Sequence, residues 1–228
     1  MTRAPWLFLL AVVALAALAV ACGGDDNASS ATSTHTAAVS AAPTPNCPAP
    51  ITDTGEPSMK TYGAAPAMTI DPAKTYIATV KTVRGEFTIK LRPDLAPHHV
   101  NSFVFLARDG YFDHVTFHRV IPGLVAQAGD PTGTGSGGPG YTIPAEFTTS
   151  LPYARGVVGM ARTTDPNSAG SQWFIAYAPT PSWDGQYTVF GEVTDGMDVV
   201  ECLTARDPSR QQNPPPGDKI ISITIGEQ

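Results

Sequence analysis

Residues 117–130 read FHRVIPGLVAQAGD. Two apolar runs flank the turn-forming pair Pro122-Gly123, which predicts two short antiparallel strands. A guanidinium and an amide interrupt these runs, at Arg119 and Gln127. Because side chains alternate along a strand, pairing across the turn would bring Arg119 and Gln127 together on one face. The alternative is that both side chains simply face solvent on a half-exposed sheet.

Short β-rich runs recur on both sides of this stretch and predict about eight strands. They cover residues 76–83, 86–91, 115–121, 124–129, 157–161, 172–176, 187–193 and 220–225. Helices are predicted over 93–110 and 196–203, the first from an apolar stripe of Val100, Phe103, Val104 and Ala107. The pattern predicts a mainly β domain over residues 70–228, a closed eight-stranded antiparallel β-barrel capped by two α-helices.

The charge balance argues against nucleic acid as a partner. The chain of 228 residues has a formal net charge of −6, and no cluster of Lys and Arg interrupts the acidic background. Phosphate binding requires such a cluster. The hydrophobic content of 42% and the charged content of 15% instead fit a packed globular domain.

The N-terminus predicts export. Residues 1–21 carry Arg3 and then an unbroken apolar run that ends in small residues before Cys22, which resembles a bacterial lipoprotein signal. Lipid on Cys22 would anchor the protein on the outer face of the cytoplasmic membrane or in the cell envelope. The alternative is a plain secreted protein or an uncleaved anchor.

Residues 22–69 are rich in Ser, Thr, Ala and Pro, which predicts a disordered tether. If Cys22 carries lipid, Cys47 and Cys202 remain as a pair. The exported location permits a disulfide between them, while two unpaired thiols are the alternative.

Three other kinds of site are not supported. The segment GTGSGG at 133–138 matches the spacing GxGxxG, but Pro139-Gly140 follow it where a nucleotide site needs a helix. The histidines lack metal-ligand spacing, and no GxSxG elbow marks a serine nucleophile. We therefore expect no metal and no cofactor.

Three blocks of sequence resemble the cyclophilins, the cyclosporin-type peptidyl-prolyl cis-trans isomerases. FHRVIPGLVAQAGD matches their FHRxIPGFxxQGGD, and GMAR at 159–162 with NSAGSQWFI at 167–175 matches a second block. WDGQYTVFG at 183–191 matches a third, and the glycine-rich loop is similar too. The resemblance covers about residues 74–226 and implies a barrel of eight strands with a proline-binding groove on its outside.

The resemblance also implies site residues. Arg119 takes the position of the catalytic arginine, and Gln127 that of the glutamine beside it. The implied substrate-binding residues are Phe117, Leu124, Val125, Ala161, Arg162, Gln172, Phe174, Trp183 and Tyr187. The family's usual Phe and Met are here Leu124 and Val125, so the slot for proline is expected to be less aromatic.

The resemblance implies an isomerase that accelerates rotation about X–Pro bonds in exported proteins and so assists their folding. Its partners would be proline-containing polypeptides, with membrane contact through the lipid anchor, and the chain is expected to act as a monomer. The alternative is a binding module that holds proline-containing segments with little or no turnover.

Overall fold

Eight strands and two helices follow one another in a computed structural model that describes residues 46–228. The strands are β1 (Tyr76–Thr82), β2 (Gly85–Leu91), β3 (Arg119–Ile121), β4 (Val125–Ala128), β5 (Val157–Met160), β6 (Trp173–Ala176), β7 (Val189–Asp195) and β8 (Ile220–Glu227). The helices are α1 (Pro97–Arg108) and α2 (Met197–Glu201). The element types and their order confirm the sequence prediction, whereas several predicted boundaries are one to four residues too long.

The strands form one antiparallel sheet that curls into an open half-barrel, so the prediction of a closed barrel is wrong. The order β3-β4-β6-β5-β7-β2-β1-β8 leaves β3 and β8 as edges. The isolated bridges nearest the gap join Thr116 to Lys219 and Val120 to Arg206. The gap persists because β3 has three residues and Val120 pairs with the connection before β8, not with β8 itself.

Two apolar clusters lie on opposite faces of the sheet. Along β6 the side chains of Trp173 and Ile175 enter the main core, whereas Phe174 and Ala176 enter a smaller cluster on the other face. This alternation is the period of two that a strand imposes. The smaller cluster therefore lies outside the curl of the sheet, and it underlies the site described below.

The start of α1 shows why the helix is shorter than predicted. Ala96 has φ −144° and ψ 67°, outside the helical region. The ring of Pro97 disfavours helical geometry in the residue before it, so the helix begins at Pro97 itself. All four residues of the predicted apolar stripe are buried against the sheet.

Residues 46–69 contain no helix or strand, but they are fastened to the domain. The backbone N–H of Ile51 donates to the carbonyl of Val83 at 2.8 Å, and that of Tyr62 donates to Pro139 at 2.8 Å. Asp53 pairs with the ring of His114 at 2.8 Å. The tether that composition predicts over 22–69 is therefore bound to the domain from residue 46 onward.

A disulfide joins Cys47 to Cys202, which settles the pairing that the sequence left open. The predicted signal at 1–21 and the lipidation site at Cys22 lie outside the described residues. Within residues 46–228, no helix has both the length and the apolar character that a membrane crossing requires.

Candidate active site

The turn at Pro122-Gly123 sets the pairing of β3 with β4. Gly123 adopts φ 75°, a left-handed conformation that glycine reaches without steric cost. The resulting register places Arg119 opposite Gln127 and Ile121 opposite Val125. The two polar side chains therefore meet across the strands, as the alternation in the sequence predicted.

A cavity of about 190 Å³ opens on this face of the sheet. Its lining consists of Arg119, Val125, Gln127, Ala161, Arg162, Phe174, Trp183 and Tyr187. Eight of the eleven residues predicted to form the site are thus brought together, from strands and loops distant in sequence.

Three aromatic rings form one wall of the cavity. The ring of Phe174 meets Trp183 edge-on at 5.2 Å and Tyr187 edge-on at 5.6 Å. Trp183 is presented by a short 3₁₀ turn, Pro181–Trp183, rather than by a strand. Edge-to-face contacts hold rings in defined orientations, so the wall has a fixed shape.

Arg119 is half-buried and lines the cavity, and its guanidinium makes no hydrogen bond or ion pair with any residue in 46–228. Gln127 makes no side-chain hydrogen bond to Arg119; its amide nitrogen donates instead to Oε1 of Gln172 at 3.0 Å. Gln172 in turn donates to the carbonyls of Gly135 and Gly137 at 3.0 and 2.9 Å. Arg119 therefore presents donors to whatever occupies the cavity.

An acidic side chain that sequence reasoning missed lies on the other side of Arg119. The bridge between Val120 and Arg206 places Asp207 opposite Arg119. The hydrogen bond from Ser209 lowers the pKa of Asp207, and the positive charge of Arg119 lowers it further. No pattern in the sequence marked this residue, since it lies in an irregular connection.

A second cavity, of about 640 Å³, adjoins the first and is formed by the glycine-rich loop. Gln127, Ala161 and Arg162 line both cavities, while Gln172 lines only the second. Gln172, predicted to bind substrate, thus lies in the larger cavity and not in the smaller one that contains the aromatic wall.

Two predicted substrate-binding residues lie elsewhere. Phe117 is 0% exposed and packs edge-on against Trp173 in the main core, so the structure corrects its assignment. The residue precedes β3, and the strand alternation that would place it beside Arg119 does not extend to it. Leu124 packs on the smaller cluster but does not line the cavity.

Tyr153 is a further residue that the sequence did not reveal. Its ring stacks on Phe174 at 5.7 Å and meets Trp183 edge-on at 5.7 Å, directly behind the aromatic wall.

Across residues 46–228, no group of three or more His, Cys, Asp or Glu side chains is arranged to hold a metal ion. The smaller cavity is instead lined by the guanidinium groups of Arg119 and Arg162, the amide of Gln127 and the aromatic wall.

Comparison with known proteins identifies the chain. The family described as cyclophilin type peptidyl-prolyl cis-trans isomerase/CLD matches residues 77–225. A probable peptidyl-prolyl cis-trans isomerase of Brucella suis is 43% identical over 171 residues, which cover 70% of this chain and 86% of that protein. A peptidyl-prolyl cis-trans isomerase of Synechococcus elongatus is 39% identical over 148 residues, covering 65% of this chain and 94% of the relative.

Solved structures agree with the sequence relatives. A cyclophilin type isomerase of Cryptosporidium parvum superposes with a TM-score of 0.62 at 31% identity, covering 67% of this chain and 98% of that one. The same protein in the presence of the dipeptide Ala-Pro gives a TM-score of 0.61 at 32% identity, covering 66% and 98%. The chain therefore belongs to the cyclophilin-type family and is a peptidyl-prolyl cis-trans isomerase.

Proposed function

We propose that the cavity beside Arg119 is where X–Pro bonds of exported proteins are isomerised, and that Arg119 is the catalytic residue. The observation that carries this proposal is the half-buried Arg119, whose guanidinium makes no hydrogen bond or ion pair within residues 46–228 and lines a cavity with an aromatic wall. The Cryptosporidium parvum relative was crystallised in the presence of Ala-Pro, a dipeptide of the chemistry that such a cavity suits.

The barrier to be lowered is the loss of amide resonance. Rotation about an X–Pro bond has an activation energy of about 20 kcal/mol and takes tens of seconds or longer without a catalyst. In the twisted transition state the proline nitrogen becomes pyramidal and regains a lone pair. A group that binds this lone pair stabilises the transition state over either planar ground state.

Arg119 has the chemistry for this role. Its guanidinium can donate a hydrogen bond to the proline nitrogen in the twisted state, and the planar amide offers no comparable acceptor there. No proton is transferred and no covalent intermediate forms. A rate gain of about 10⁵-fold would require about 7 kcal/mol of such differential stabilisation.

The apolar side of the cavity would hold the pyrrolidine ring. Val125 and Phe174 are both buried and face the cavity, and Trp183 and Tyr187 extend the same wall. A ring seated there would place its nitrogen on the side of Arg119. Gln127, fixed by Gln172, would orient the substrate carbonyl rather than Arg119.

An isomerisation assay on a proline peptide tests the catalytic role. We expect the wild type to accelerate the cis-trans exchange and Arg119→Ala to lose most of this acceleration, while peptide binding, measured by calorimetry, is retained. Equal acceleration by both proteins would contradict the role given to Arg119.

We also propose that a lipid on Cys22 tethers the domain to the cell envelope, where it meets unfolded exported chains. The support is the signal-like sequence before Cys22 and the disulfide, which suits an oxidising compartment. Cys22→Ala should move the protein from the membrane fraction to the soluble fraction. If the variant stays in the membrane fraction, held there by residues 1–21, the proposal of a lipid anchor on Cys22 is wrong.

A further inference from the structure

Arg162 lies on the ridge between the two cavities, and its side chain contributes to the lining of both. The smaller cavity is lined by Arg119 and the aromatic wall, and the larger cavity is bounded by the glycine-rich loop. A peptide whose proline occupies the smaller cavity would run past Arg162 to reach the larger one.

The protein holds the guanidinium of Arg162 in one orientation. Nε donates to the carbonyl of Gln186 at 2.8 Å, and Nη1 donates to the carbonyl of Thr163 at 2.9 Å. The guanidinium carbon also lies 4.8 Å from the ring centroid of Tyr187 and 5.8 Å from that of Phe147. Both contacts are within the range of a cation–π interaction.

These contacts leave the charge of Arg162 uncompensated. Its remaining nitrogen, Nη2, has no hydrogen-bond partner in the part of the chain that is described, and no carboxylate there lies within ion-pair distance of Arg162. The two acids closest in sequence to Arg162 and its partner Gln186 accept backbone hydrogen bonds, Asp165 from the N–H of Asn167 at 2.9 Å and Asp184 from that of Tyr153 at 2.7 Å.

The site therefore carries two guanidinium groups, Arg119 and Arg162, neither of them ion-paired within residues 46–228, on a chain of net charge −6. Arg119 has Asp207 across the strand pairing, whereas no β-bridge among the described residues sets an acid opposite Arg162. A preoriented guanidinium with an unpaired Nη2 is a donor suited to a carboxylate. Orientation by the protein also reduces the entropy lost when an anion binds.

We propose that Arg162 is a specificity-determining residue, which favours substrates with an acidic side chain next to the X–Pro pair on the side that faces the larger cavity. This inference rests on the proposed function of the smaller cavity as the proline site. The recognised chemistry is a carboxylate, and the class of substrate is an acidic, proline-containing segment of an unfolded chain.

Peptide pairs that differ only in Glu against Gln test the proposal, with the substitution placed in turn at each position flanking the X–Pro bond. At low salt the wild type should process the Glu peptide about three- to tenfold faster, in kcat/KM, at one flanking position. Arg162→Gln should bring this ratio close to one, and Arg162→Lys should keep part of it. Added salt should lower the wild-type ratio.

The ratio of two peptides on the same variant cancels any general damage to the cavity caused by the loss of the Tyr187 contact. Arg155→Gln is the matched control, because Arg155 pairs with Glu201 away from both cavities and its loss changes the net charge equally. A wild-type ratio near one at every position, a ratio that survives in Arg162→Gln, or a ratio lost equally in Arg155→Gln would overturn the proposal. Failure of the proline site itself would appear separately, as unchanged turnover in Arg119→Ala.

Discussion

At the scale of single residues, Tyr153 and Gly159 show how closely the groove is packed from behind. The hydroxyl of Tyr153 is buried and has no hydrogen-bond partner in the described part of the chain. A Cβ at position 159 would lie 2.0 Å from that hydroxyl and 2.8 Å from Cζ of Phe174. Gly159 is thus required by close approach, and the Tyr153 ring fixes the position of Phe174.

Tyr153→Phe should leave isomerase activity unchanged and the free energy of unfolding equal or higher, by up to about 1 kcal/mol, because an unsatisfied buried hydroxyl is removed. Gly159→Ala should lower both activity and stability, the latter by about 1–3 kcal/mol, since the added methyl group displaces Phe174. Denaturant unfolding and peptide isomerisation measure both effects.

The double variant Tyr153→Phe with Gly159→Ala tests whether crowding against the Tyr153 hydroxyl causes the stability loss of Gly159→Ala. Tyr153→Phe frees space at position 159, so it should recover part of the stability lost by Gly159→Ala. If the two changes are strictly additive, the hydroxyl is not what makes glycine necessary there.

The sequence revealed site residues where the alternation of polar and apolar side chains marked them. Arg119 and Gln127 stood out because polar groups interrupted apolar strands, and their pairing followed from alternation. Phe117 was misassigned because it precedes the strand, and Tyr153 left no signal, because its contacts with Phe174 form only when distant segments pack together.

At the scale of elements, the glycine-rich loop is organised around one buried carboxylate. Oδ2 of Asp130 accepts hydrogen bonds from the backbone N–H groups of Gly135 and Gly137 at 2.7 and 3.0 Å. Oδ1 accepts two more from Thr132, from its backbone N–H at 2.8 Å and from its hydroxyl at 2.7 Å. Burial alone would raise the pKa of Asp130, but these hydrogen bonds outweigh it and lower the pKa.

Asp130→Asn should therefore destabilise the domain by at least about 2 kcal/mol at neutral pH, because the amide nitrogen cannot accept these bonds. A carboxyl whose pKa is lowered by folding stabilises the fold above its unfolded pKa. That contribution is lost as the pH falls through the folded pKa. The difference between wild type and Asp130→Asn should consequently shrink in acid.

Urea unfolding between neutral and acidic pH checks this expectation, with Asp165→Asn as the control for the same chemical change at an exposed site. A difference that stays constant down to strongly acidic pH would show that the ionised carboxylate does not hold the loop. The sequence predicted a loop here rather than a nucleotide site, but it gave no indication that the loop borders the groove or that Asp130 orders it.

At the scale of the whole molecule, the sheet stays open and residues 46–69 bind to loops and to helix α1 around it. The edges β3 and β8 do not form a ladder, and the side chain of Lys219, beside that gap, donates to the carbonyl of Gly55 at 2.6 Å. The disulfide Cys47–Cys202 closes a loop of 155 residues around this arrangement. Composition alone could not predict it, because residues 46–69 bind through backbone groups and individual side chains such as Asp53 and Tyr62, which a Ser-, Thr-, Ala- and Pro-rich composition does not single out.

Replacing both cysteines, as Cys47→Ser with Cys202→Ser, should lower the free energy of unfolding by about 2–4 kcal/mol and the melting temperature by roughly 5–15 °C. Isomerase activity at room temperature should be retained, since neither cysteine lines a cavity. Calorimetry with and without reductant measures the shift. An unchanged melting temperature in the double variant would mean that the hydrogen bonds of residues 46–69 suffice.

We propose that Arg119 acts on the transition state and not merely on binding. The most direct measurement is kcat/KM for a proline peptide, alongside the peptide dissociation constant, in the wild type, Arg119→Ala and Arg119→Lys. We expect losses of at least about 100-fold in kcat/KM for Arg119→Ala, equivalent to about 3 kcal/mol, with a dissociation constant changed by less than about threefold. Arg119→Lys should recover little, because an ammonium lacks the planar fork. Parallel losses in affinity and turnover, or full activity in Arg119→Ala, would contradict the account.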